Sequence, residues 1–70
     1  PADAGADLEA AFTQAVDRAR AEGRPEDRAA LLTLARALHR ALPGSPRLKA
    51  AAADRSLPAR TRRALARLGG

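Results

Sequence analysis

The 70-residue chain has no cysteine, methionine, tryptophan or tyrosine, and only one phenylalanine and one histidine. Without cysteine no disulfide can staple a short chain, and no thiol reports the redox compartment. One histidine and no cysteine cannot close a tetrahedral zinc site of nitrogen and sulfur ligands, so a structural zinc staple is nearly excluded too. Gly5, Gly23 and Gly44 stand alone and Gly69-Gly70 ends the sequence, so no glycine-rich phosphate loop is present. No cofactor and no metal are expected. No apolar run approaches the ~20 residues that span a bilayer, and no signal-peptide core is visible. The expectation is a soluble, cytoplasmic domain without membrane contact.

These absences also argue against catalysis. His39 is the only imidazole, and a histidine general base needs a reacting partner and an orienting group within reach. No neighbour in sequence supplies either, so His39 reads as a surface residue on the flank of a helix. Glu22, Glu26 and Asp27 cluster around a helix junction. Their placement is explained by the helix dipole, where an acid contributes roughly 0.3–1 kcal/mol. The chain is therefore expected to be non-enzymatic.

Alanine and leucine supply most of the 46% hydrophobic content. Both are strong helix formers, and β-branched residues are scarce, which favours helices over strands. Leu8, Ala11, Phe12, Ala15, Val16 and Ala19 recur at helical spacing and predict a first helix from about Asp7 to Glu22, with Asp7 as cap. Gly23 fits a left-handed C′ position and Pro25 follows it. Leu31, Leu34, Ala35, Leu38, Ala41 and Leu42 share a face in a second helix over Pro25–Leu42. Pro43-Gly44-Ser45-Pro46 breaks the chain. Ser45 is placed to cap a short third helix ending near Asp54, with Leu48, Ala51 and Ala52 inward. Ser56 or Leu57 would cap a fourth from near Pro58, with Leu57, Thr61, Ala64, Leu65 and Leu68 as its stripe.

The predicted fold class is all-α, a small bundle of three to four short helices. Residues 1–6 read as a linker or the edge of a longer chain, 7–68 as one helical domain, and Gly69-Gly70 as a terminal pair marking a cut or a hinge. Large core residues are few, and a core of this size rarely contributes more than ~3–5 kcal/mol. That favours an obligate partner or a homodimer, the latter across Leu32 and His39. Leu32 sits about 70–100° off the main stripe of its helix, by the 3.6-residue period. It fits either the edge of a broad core face or a partner contact.

Charge is unevenly placed. Residues 1–44 carry six arginines against seven acids, whereas residues 45–70 carry seven basic residues against Asp54 alone. The final SLPARTRRALARLGG holds four arginines and no acid. Arg60, Arg63 and Arg67 fall at i, i+3 and i+7 and form one stripe opposite Leu65, with Arg47, Lys49 and Arg55 near the other end of the basic segment. A solvated face explains their position, but not their common sign. The reading carried forward is a docking or adaptor module within a larger protein. Its partner is a protein with an acidic surface, met by Arg60, Arg63, Arg67, Arg55, Lys49, Arg47 and Leu32. The alternative is phosphate contact with nucleic acid. Against it, the basic segment has no aromatic side chain to stack a base and no Asn or Gln to read one.

Overall fold

The structure, a computed structural model, describes residues 4–69. They form an all-α bundle of four helices: α1 (Ala4–Glu22), α2 (Pro25–Ala41), α3 (Pro46–Ala52) and α4 (Ala59–Gly69). No described helix is long and apolar enough to cross a membrane. α2 packs against the other three helices, while among the described residues the backbones of α1 and α4 do not approach each other closely. The bundle is therefore arranged around α2, whose Leu31, Ala35 and Leu38 are wholly buried. Its thinnest Cα extent is 15 Å, which allows two helix layers at the usual axial separation of ~8–10 Å and one sheet of side chains between them.

The core is Phe12, Val16 and Ala19 from α1, the three α2 residues, Leu48 and Ala51 from α3, Leu57, and Leu65 from α4. Buried alanines at three of these positions let helix axes approach closely. Leu8, Leu34 and Leu68 pack at its edge, half-buried. Thr61 is also buried, within the face that carries Leu65.

Several boundaries differ from the sequence expectation. α1 begins at Ala4 rather than Asp7: Gly5 is a poor helix former, but its cost of about 1 kcal/mol is confined to the first turn, and the alanines on either side propagate the helix. Asp7 thus lies inside the first turn and is not the cap. Residues 1–3 of the expected linker, and Gly70, lie outside the described residues. α2 stops at Ala41; Leu42 adopts φ −134°, ψ 76°, leaves the helical stripe and is 37% exposed. Ala41 is exposed as well.

The caps also differ. Ser45 occupies the N-cap of α3 but its hydroxyl is buried without a hydrogen-bond partner. At α4 it is the Pro58 carbonyl that accepts the first helical bond, from Arg62 N–H at 3.0 Å. The Ser56 hydroxyl is engaged elsewhere, as described below. Asp27 is nearly buried and its carboxylate accepts the Arg24 N–H at 3.4 Å, holding the entry to α2. Gly23 has φ +64°, the left-handed conformation expected of it, and ends α1 so that α2 can fold back.

Two polar clasps tie α3 and its following turn to α1. Arg47 pairs with Glu9 at 3.4 Å and donates to Thr13 Oγ1 at 2.9 Å. Arg20 donates to the Ser56 hydroxyl at 2.7 Å, pairs with Asp54, and pairs with Asp17 at 3.2 Å. Asp54 also accepts the Ser56 N–H at 2.9 Å. The Ser56 hydroxyl, then the Arg20 guanidinium, lower the Asp54 pKa to about 2.

A carboxylate that ionises more easily in the folded chain contributes stability that is complete above its ordinary pKa of about 4 and disappears as pH falls toward about 2. Acid melts of the wild type should therefore lose stability across that window, and Asp54→Asn should flatten this part of the profile. A carboxyl resonance of Asp54 titrating near its ordinary value would show that the clasp does not form.

Candidate functional site

α4 places Arg60, Arg63 and Arg67 on its exposed face, because Thr61 and Leu65 on the opposite side are drawn into the core. The stripe expected from the sequence is thus present. Tertiary packing adds what the stripe alone does not contain. α2 lies beside α4 and brings Arg28 to the same place, so that Arg28, Arg60, Arg63 and Arg67 line one open cleft of 330 Å³ floored by Ala64. A second cleft of 390 Å³ adjoins it, sharing Arg28 and Arg60 and adding Arg24, Ala19, Gly23, Pro25, Pro58 and Thr61. The two clefts share Arg28 and Arg60; taken together as one groove, they are lined by five arginines and by no acid.

The groove's arginines lack internal counter-charges. The ion pairs among the described residues involve Arg20 and Arg47, and none involves Arg24, Arg28, Arg60, Arg63 or Arg67. Arg63 makes only a long contact from Nε to the Ala59 carbonyl, 3.4 Å. Arg28 is half-buried and its Nε–H is buried with no acceptor. A buried donor on a charged group is costly to leave unpaired.

α4 also breaks a local rule. Helix N-termini favour acids and disfavour cations, yet α4 has no acid in its first turn and carries Arg60 there, followed by Arg62 and Arg63. Arg62 folds back, donating from Nε to the Leu57 carbonyl at 3.2 Å. Among the described residues, Arg60 and Arg63 have no such use beyond the long Arg63 contact. Departures of this kind concentrate at functional sites.

The remaining sequence-selected residues do not join the groove. Arg47 is engaged in the α1–α3 clasp. Lys49 is exposed beside a separate apolar cleft of 260 Å³ between α3 and α4, lined by Leu48, Ala52 and Leu65. Arg55 is exposed in the connection between α3 and α4. Leu32 is half-buried and packs against the core. His39 is half-buried rather than on the surface, with Nδ1 buried and unpartnered. Among the described residues no group of three or more His, Cys, Asp or Glu is placed to hold a metal.

Sequence reasoning missed Arg24 and Arg28. They lie four apart at the start of α2, within a segment whose overall charge is negative, and that balance hid a local basic pair. Of the two acids between them, Asp27 lines a different cleft beside Gln14 and Arg18, and Glu26 is exposed and lines neither part of the groove. The comparisons identify no relative: no family model, no curated protein and no solved structure matches this chain.

Proposed function

We propose that this chain is a non-enzymatic docking module whose arginine groove receives an acidic surface of another protein. The observation that carries the reading is the meeting of Arg28 with Arg60, Arg63 and Arg67 in one cleft free of acids and of internal ion pairs. Like charges held together destabilise an isolated domain, and an opposing carboxylate surface turns that cost into attraction. Guanidinium forks suit carboxylates because they bind them through two parallel hydrogen bonds. Complementary charge of this kind acts mainly on the rate of encounter and on partner choice. Arg55 and Lys49 extend the positive field at longer range.

Within this chain Glu9, Asp17 and Asp54 are held in internal ion pairs and Asp27 is nearly buried, but Asp7, Glu22 and Glu26 are exposed and in no ion pair among the described residues. Self-association through these acids, or through the face near Leu32 and His39, is read directly by sedimentation at two concentrations.

Nucleic acid is the competing occupant, since the same forks bind phosphate. Against it, the groove contains no aromatic residue and no Asn or Gln. The test is binding of a short random-sequence duplex at low and at physiological salt. Docking to protein predicts weak duplex binding that vanishes at physiological salt, as for any chain of net charge +5. Four phosphate contacts would instead give a log–log salt slope near −3.6, at about 0.9 per contact. Micromolar duplex binding that persists at physiological salt, with a slope reduced by the triple change R60E/R63E/R67E, would overturn the docking reading.

A further inference from the structure

The two halves of the groove differ in chemistry, and the difference specifies its occupant more closely. The half along α4 is walled by Arg28, Arg60, Arg63 and Arg67 over a small floor at Ala64. The half at the α1–α2 turn has an apolar wall of Ala19, Pro25 and Pro58, with exposed Arg24 and Arg60 beside it. Its 390 Å³ falls within the ~300–1,000 Å³ of pockets that enclose small ligands. Charge alone would not call for such a pocket, because exposed guanidiniums remain well hydrated and contribute little lasting affinity. Lasting affinity comes from an apolar or aromatic anchor that is fully desolvated, with charges around it.

We infer that the groove recognises a short acidic segment carrying one bulky apolar residue, the apolar side chain entering the pocket at Pro25 and Pro58 and the carboxylates lying along α4 on Arg28, Arg63 and Arg67. This rests on the docking reading and narrows its partner. The spacing is set by α4. From Arg60 to Arg67 the helix rises about 10 Å at 1.5 Å per residue, which an extended segment covers in about three residues. The anchor and at least two acids therefore fall within about four or five consecutive residues. Arg28 and Arg60 belong to both halves, so an acid next to the anchor meets them first. Exclusion of water by the anchor strengthens these contacts, because charges attract more strongly where the effective dielectric is lower.

The test uses two labelled peptides that differ at one position, leucine or serine, each followed by the same run of glutamates. Titrations against the wild-type chain and R60E/R63E/R67E are read by fluorescence anisotropy, and methyl NMR follows Ala19 and Thr61. The leucine peptide should bind at least about tenfold tighter than the serine peptide, the scale set by burying one leucine side chain. It should also shift both methyl signals. Equal affinity of the two peptides for the wild type, with the methyls unmoved, would overturn the anchored segment and leave docking to acidic protein intact. Binding of neither peptide to the wild type above the level of the triple variant would overturn both.

Discussion

Replacing Phe12 by alanine is expected to abolish cooperative unfolding. Phe12 is the only aromatic residue in the chain, is 1% exposed, and sits in the core among residues from all four helices and Leu57. Large-to-small changes at a buried phenylalanine cost about 3–5 kcal/mol, from lost transfer energy and the cavity left behind. A core of this size rarely contributes more than ~3–5 kcal/mol, so the loss takes most or all of the stability. The core cannot easily collapse onto the gap, since it includes alanines whose methyl groups cannot swing inward to fill it. Phe12→Leu keeps most of the volume and should retain a sharp melt. Thermal and urea unfolding followed by circular dichroism decide the matter. A Phe12→Ala transition that stays cooperative and shifts by only a few degrees would mean that the core is centred elsewhere.

Charge reversal in the groove should separate stability from binding. Arg63 lies between Arg60 and Arg67 at i−3 and i+4, so it faces two like charges on its own helix. Like-charged pairs at these spacings each destabilise by about 0.2–0.5 kcal/mol, and opposite pairs stabilise by as much. Arg63→Glu converts both, for a gain of roughly 1 kcal/mol that shrinks with added salt. In a domain of this size that raises Tm by about 4–8 °C. The same change removes an attraction that an acidic partner would use, and the full R60E/R63E/R67E reversal should slow association by ten- to a thousandfold at low salt. A variant that becomes less stable would show that the stripe is not self-repulsive, and one that binds an acidic peptide as fast as the wild type would show that it is not a docking element.

The helices were legible in the sequence because they depend on local rules. Apolar spacing of 3.6 residues, Gly23 and the prolines placed four helices within a few residues of where they lie. Local rules failed where two local choices compete. Ser56 was a plausible cap for α4, but Arg20, distant in sequence, draws its hydroxyl to the Arg20–Asp54 clasp. Leu42 matched the α2 stripe, but the backbone turns out of the helix before it can reach the core.

The arginine stripe of α4 was also legible, because Arg60, Arg63 and Arg67 share one helix and their phase follows from its period. Its meeting with Arg24 and Arg28 was not. Those residues stand more than thirty positions away, and nothing in local propensity or charge balance relates the start of α2 to a face of α4. Tertiary packing decided it, by burying Leu31 against the core that also takes Thr61 and Leu65, which sets α2 beside α4 and turns their arginines toward one groove. The same packing withdrew Arg47 into a clasp with Glu9, a pairing that depends on α3 lying across α1. The sequence by itself determined the elements and the sign of their charge. Only the fold decided which charges neutralise one another and which are left facing outward together, because that depends on distances between residues remote along the chain.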